Sequence, residues 1–271
     1  MVDIKSLEER VSYYRKRIME VGYKTQSGHL SSALSCVELM TVLYDGGILN
    51  FDEKDPENED RDRFILSKGH ACIIQYLILA ETGLIPETEI YRFCKPNALL
   101  GAHPNSNKIS GIDTSTGSLG HGLAMGIGLA LAAKYRGKDY HTYVILGDGE
   151  SQEGSIWEGA LCAGNHKLDN LTVIIDYNKL QASDAVKNIS GLDPLADKWR
   201  AFGFQVDEID GHDIQQVMEA LQHHTEGMPH AIIANTVKGK GVRMIENQNG
   251  WHGRKPNDTE WEIISKELGI S

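Results

Sequence analysis

The run LTVIIDY at 171–177 is apolar or β-branched at six of seven positions and shows no polar alternation. A strand with one wet face alternates polar and apolar residues, so a run like this belongs to a strand buried on both faces. RFILS (63–67), YVILGD (143–148) and AIIANTV (231–237) have the same character. FQVDEID (204–210) is the fifth strand candidate and the only one carrying more than one acid. Helical periodicity fills the intervals, near 35–45, 69–82, 120–135, 151–165, 193–202 and 213–225. Strands alternating with helices predict an α/β fold, a mostly parallel sheet with helices on both faces. Nothing between the elements resembles a linker, a repeat or a low-complexity stretch. Residues 1–271 therefore read as a single domain, at a length an α/β domain can reach.

The termini fit that frame. MVDIKSLEERVSYYRKRIMEV is charged, with Ser6 and Glu9 at capping-box spacing, and reads as an amphipathic helix rather than a leader. After Val242 the chain reads as a loop followed by a short helix capped near Asp258. No apolar run approaches a membrane span. A net charge of −11 argues against nucleic acid and against an anionic membrane surface as partners. The four cysteines, Cys36, Cys72, Cys94 and Cys162, lack CxxC spacing and read as free thiols in a cytoplasmic protein.

Open parallel sheets bind ligands beyond the carboxyl ends of their strands. That rule selects Ser67–His70, Gly147–Gly149, Tyr177–Leu180 and Lys238–Gly241. Gly147 and Gly149 flank Asp148, and a helix starting near Ser151 follows. Glycines allow a sharp turn and a close backbone approach, and the helix N-terminus favours a phosphate. Asp148, Asn178 and the carbonyl of Leu180 can offer hard oxygens to Mg²⁺ or Ca²⁺, with phosphate and water completing the shell. A tight turn capped by Asp148 would explain GDG alone. Neither a Walker loop nor GxGxxG spacing is present. The pairing with Asn178, one strand–helix–strand unit later, favours the metal.

GDG, 28 intervening residues and Asn178 resemble the diphosphate-binding motif of thiamine diphosphate enzymes. Tyr177 stands where that motif often has another asparagine. SGHLSSALSCVELM (27–40), DRFILSKGHACIIQY (62–76), GAHPN (101–105), TSTGSLGHGLAMGIGLALAAK (114–134) and WHG (251–253) occur in the order found in transketolases. The chain thus resembles the N-terminal, diphosphate-binding half of a transketolase. The resemblance implies thiamine diphosphate as cofactor, with Mg²⁺ or Ca²⁺ held by Asp148, Asn178 and Leu180. It implies His70, His252, Gly149 and Asn178 at the diphosphate, and Gly117 and Leu119 near the cofactor rings. It makes His29, His103 and His252 catalytic, with His29 and His103 contacting the oxygens of a ketose, and Glu153 part of a network linking paired active sites. Histidine suits such work because it exchanges a proton near neutral pH. His121 replaces a glutamine common in transketolases. The glycines of 117–128 also serve close packing of a helix on the sheet. His141, His166, His223, His224 and His230 have no motif around them, and DGHD at 210–213 is accounted for by a turn and a helix cap.

In that superfamily the glutamate that activates the cofactor lies on a pyrimidine-binding domain, and nothing before Ser271 corresponds to it. The expectation is therefore an N-terminal subunit of a split transketolase, moving a two-carbon ketol unit from a ketose to an aldose. It would act on sugars or sugar phosphates together with a C-terminal subunit, in a heterotetramer with two of each chain. A dihydroxyacetone synthase-like or deoxyxylulose-phosphate synthase-like activity, or a non-catalytic binding protein, are the alternatives.

Overall fold

The computed structural model describes residues 2–270, so Met1 and Ser271 lie outside it. Five strands, β1 (Arg63–Leu66), β2 (Thr142–Gly147), β3 (Leu171–Tyr177), β4 (Gln205–Asp210) and β5 (His230–Asn235), form one sheet in the order β1-β2-β3-β5-β4. All four pairings are parallel, as expected. The acid-broken run is β4, an edge strand with its side chains half-buried or exposed, and its edge position explains its composition. The three interior strands are buried almost throughout.

The helices are α1 (Ile4–Thr25), α2 (Leu30–Leu34), α3 (Val37–Asp45), α4 (Ile73–Glu81), α5 (Glu87–Ile90), α6 (Gly122–Arg136), α7 (Gly154–Asn165), α8 (Val186–Ile189), α9 (Leu195–Ala201), α10 (Ile214–Gln222) and α11 (Asp258–Leu268). Successive strand residues point to opposite faces, and the core divides accordingly. Phe64, Leu66, Ile145, Ile174 and Ile232 pack with α1, α3, α4 and α10. Ile65, Val144, Leu146, Val173 and Ile233 join the other face, with Leu123 of α6, Ile156 of α7 and Trp199 of α9. Burying each such side chain contributes roughly 1.5–3 kcal/mol, so both faces fix the strands whose ends carry the chemistry. A Cβ on Gly126 would lie 2.5 Å from Val144 Cγ2, so the glycine lets α6 lie close on the sheet.

Several boundaries differ from the sequence expectation. The first helix starts earlier than a Ser6–Glu9 box requires. Asp3 is its N-cap, accepting from the Lys5 amide, and Ser6 and Glu9 lie inside α1. The box spacing recurs there by chance, because Asp3 offers an earlier carboxylate to the free amides. At the other end the cap is Asn257, one residue before Asp258, in a full capping box with Glu260. The helix expected near Ser151 begins at Gly154, after a 3-10 turn over Glu150–Gln152.

Candidate active site

The carboxyl ends of β1, β2, β3 and β5 open on a cavity of about 480 Å³. A larger depression of about 740 Å³ lies behind it, between α1 and α10, and holds none of the strand-end motif residues selected above except Gly241. Chemistry favours the smaller one, because every site residue expected from the sequence lines it.

His29 is the residue before α2, His70 sits in the 3-10 turn that follows β1, and His252 follows the Asn249–Trp251 turn. These three elements are far apart in sequence, yet the rings form a triangle. Centroids are 5.3 Å apart for His29–His70, 5.2 Å for His29–His252 and 5.4 Å for His70–His252. His103 approaches from the 101–105 loop against Gly117, whose φ is +138°. A Cβ there would lie 2.9 Å from His103 Cγ, so only glycine lets the two loops pass. Leu119 stands at the rim, 38% exposed. Glu153 lines the cavity at the N-cap of α7, with no side-chain cap bond.

The expected metal residues converge too. Asp148, 3% exposed, accepts from the Gly149 amide at 2.7 Å and from the Lys179 amide. Asn178 Oδ1 accepts from the Leu180 amide at 3.1 Å. The Leu180 carbonyl accepts from Lys238 Nζ at 3.0 Å.

Four residues of this site are not singled out individually by the sequence. Lys68 is buried in an ion pair with Asp176 and donates to the Ser32 carbonyl at 2.9 Å. Lys238, 1% exposed, also lies 2.9 Å from His252 Nδ1. Glu150 accepts from the amides of Gly120 at 2.9 Å and Gly147 at 3.1 Å, tying the 117–120 loop to the end of β2. Gln181 flanks Gly149. The strand-end rule covers the positions of Lys68 and Lys238, but a lysine carries no motif of its own.

Electrostatics follow from burial. It lowers His29, with Lys255 and His103 adding to the effect, and lowers His70 well below its ordinary value, with Lys68 adding. His252 falls to about 4 by burial and by Lys238, so the triangle of rings is neutral at pH 7. Lys238 itself falls to about 8 through burial and repulsion from Lys68. Asp148 is pushed up to about 7 by burial and by Asp176. For Lys68 burial also acts downward, but Asp176 outweighs it and the ammonium stays above its ordinary value.

Residues 7–271 match the family described as transketolase, thiamine diphosphate binding domain. The chain belongs to this transketolase family. It is 43% identical over 264 residues to an apulose-4-phosphate transketolase subunit of Actinobacillus succinogenes, covering 97% of this chain and 95% of that one. It is 37% identical over 264 residues to the 6-deoxy-6-sulfo-D-fructose transketolase subunit SqwG of a Clostridium species, covering 97% and 96%. The crystal structure of Campylobacter jejuni transketolase superposes with a TM-score of 0.93 at 29% identity, over 100% of this chain and 44% of that one.

The family's cofactor can be tested against the cavity. His29 Nδ1 and Gln181 Nε2 are buried there without hydrogen-bond partners. A Cβ on Gly149 would lie 2.9 Å from Gln181 Cγ, leaving a backbone cradle beside Asp148. Among the described residues no three His, Cys, Asp or Glu side chains converge to hold a metal by themselves. A hard cation at Asp148 and Asn178 would then take further oxygens from a diphosphate and water. Asp148 and Glu150 pushed toward neutrality, two buried ammonium groups and orphaned side-chain nitrogens fit an anion carrying its own cation. Among the described residues no helix is long and apolar enough to cross a membrane.

Proposed function

We propose that this chain is the diphosphate-binding subunit of a two-chain transketolase. The single domain, residues 1–271, would bind thiamine diphosphate through Mg²⁺ or Ca²⁺ and transfer a two-carbon ketol unit from a ketose to an aldose. The observation that carries the reading is the convergence of Asp148, Asn178, His29, His70, His103 and His252 on one cavity. It occurs in a chain that spans 95% of a relative whose name marks it as one subunit of a transketolase.

When bound, thiamine diphosphate supplies the nucleophilic carbon and the electron sink that cleaving a ketose requires. The protein's part is binding, orientation and proton handling. Asp148, Asn178 and the Leu180 carbonyl would hold the cation, and Lys238 would exchange its bond to that carbonyl for diphosphate oxygens. His70, Gly149 and His252 would donate to the same oxygens. Gly117 and Leu119 would face the rings, and Glu153 at the rim would reach toward a second active site. His29 has an unpartnered Nδ1 and a neutral ring, so it can donate to a sugar oxygen or accept its proton. His103 would do the same from the opposite loop.

The relatives' names speak of subunits, one for apulose 4-phosphate and one for 6-deoxy-6-sulfo-D-fructose. This supports a C-terminal partner carrying the pyrimidine-binding domain, in a cytoplasmic heterotetramer with two of each chain and with sugars or sugar phosphates as substrates. The rim supports it as well. Ser118, Gly120, Ala124 and Met125, on either side of Leu119 in the chain, line a shallow depression of about 570 Å³. An apolar face of this kind marks an interaction surface. Co-purification with the partner and a ketol-transfer assay on a sugar panel test the reading. Transfer is expected from the pair and not from this chain alone. Robust turnover by the single chain, with contaminating transketolase excluded, would overturn it.

A further inference from the structure

Lys238 reaches the cavity from the segment after β5, and its ammonium is buried there. A buried ammonium loses hydration, so a loosely held segment would let it swing out to water. Three side chains from separate elements grip this segment from behind. They are Arg15 of α1, Glu38 of α3 and His212 in the turn before α10. We infer that Arg15, Glu38 and His212 are positioning residues that clamp residues 237–241 and thereby hold Lys238 in the cavity.

The contacts fall on both sides of Lys238. The Val237 amide donates to His212 Nε2 at 2.8 Å, and Arg15 Nε donates to the Lys240 carbonyl at 3.1 Å. An acceptor at Nε2 leaves the ring proton on Nδ1. That nitrogen lies 3.1 Å from Glu38 Oε1, near enough for attraction though poorly aligned for a hydrogen bond. Arg15 Nη2 meets the same Glu38 oxygen at 2.5 Å. Glu38 therefore ties the two gripping groups into one unit. Gly241, at φ +87°, lies flat on Arg15, and a Cβ there would come within 2.6 Å of Arg15 Cδ. From the front, the Gly239 amide donates to the Ser31 carbonyl at 3.0 Å.

None of the three gripping residues lines the catalytic cavity. They line the larger depression on the far side of the segment. A turn and a helix cap account for Asp213, which accepts from the Gln216 amide, but not for His212. Burial disfavours the Glu38 carboxylate, yet His212 and Arg15 outweigh it and hold it below its ordinary value. The clamp is thus a charged, preformed unit rather than a loose surface contact.

The test compares His212→Ala with His212→Gln, because a glutamine side-chain oxygen can still accept from the Val237 amide. In the full chain, hydrogen exchange of the 237–241 amides should rise roughly tenfold in His212→Ala and stay near the parent in His212→Gln, as loss of one hydrogen bond implies. Amides of β3 should be unchanged in both. Magnesium pyrophosphate serves as the binding probe. Its affinity should fall roughly tenfold in His212→Ala but lose nothing further when that change is added to Lys238→Met. Unchanged exchange in His212→Ala, or a fully additive loss in the double variant, would overturn the clamp. The significance for cofactor binding rests on the function proposed above, which fails separately. If neither magnesium pyrophosphate nor thiamine diphosphate binds the parent chain, that reading falls, and the exchange result still decides the clamp.

Discussion

The two ends of this sheet each gather histidines, and they use them in opposite ways. At the carboxyl end His29, His70 and His252 face one another across an open cavity, backed by Lys238. At the amino end His141, His223, His224 and His230 pack together, with His141 and His224 centroids 4.8 Å apart. There His141, His223 and His230 each commit one ring nitrogen to a partner within the chain, although His230 Nδ1 is buried without one. His141 Nε2 meets Thr172 Oγ1 at 2.8 Å, and His223 and His230 share Asp207 Oδ2 at 2.9 Å each. Burial lowers rings at both ends, so a lowered pKa does not tell a site from a support. What distinguishes them is what the rings surround: the carboxyl-end rings line one cavity with Asp148 and Asn178, whereas His141, His223 and His230 bond to residues of the strands themselves. A set that lines a cavity is available to a ligand; a set bonded to the sheet is largely committed to holding it.

The largest expected effect lies at Asp148. Asp148→Ala should reduce metal-dependent thiamine diphosphate affinity at least about a hundredfold, since a hard cation loses its only charged protein oxygen. Thermal stability should hold or rise, because burial and Asp176 already disfavour this carboxylate. Calorimetric titration of the two-chain complex, with and without Mg²⁺, checks it, and unchanged affinity would remove the carboxyl end from consideration. Next in size is His103→Ala, expected to lower kcat on the order of a hundredfold with little change in cofactor affinity. His70→Ala should do the reverse, weakening cofactor binding roughly tenfold. Equal effects on binding would show the two loops have been assigned the wrong partners.

The carboxyl-end residues are legible in the sequence because each sits in a short motif at a strand end, and the parallel-sheet rule says where strand ends lead. Asp148 and Asn178 can be paired across one strand–helix–strand unit without any coordinates. Lys68, Lys238 and Glu150 do not stand out, because their significance depends on burial, and burial of a charged residue is a tertiary fact. Lys238 reads in sequence as one lysine of VKGKG, and only the packing shows it turned inward. The amino-end histidines are invisible for a related reason. His141 and His230 immediately precede or begin strands, and their partners Thr172 and Asp207 come from neighbouring strands. Strand order, β3 beside β5 and β5 beside β4, is not deducible from periodicity. Helix ends shift by a few residues where Asp3 and Asn257 compete with later capping candidates.

The amino end can be challenged directly. His230→Ala should cost about 1–3 kcal/mol of unfolding free energy, from lost packing and from Asp207 losing a buried partner. Cofactor affinity of the complex should be unchanged. The contrast with His70→Ala is the point, since that substitution should weaken binding while leaving urea unfolding nearly where it was. A variant set in which both ends move both measurements would dissolve the distinction.

The smallest effect is an acid dependence confined to the supporting end. Burial pushes His141 down to about 3, with His224 the next cause, and pushes His230 down to about 4; His224 is itself lowered by burial and by His223. His141 and His230 stay neutral in the fold down to about 4, whereas in the unfolded chain they bind protons as pH falls below about 6.5. The unfolded state then holds more protons, so their contribution to stability is complete above about 6.5 and is lost progressively toward about 4. His224→Gln removes one such ring and relieves His141 of a neighbouring positive charge. Urea unfolding at about pH 7 and about pH 5 should therefore show a smaller acid penalty in His224→Gln, by less than about 1 kcal/mol. His224 is exposed, and solvent screens its share, which keeps the difference small. A larger acid penalty in the variant would mean that His224 supports the cluster rather than crowding it.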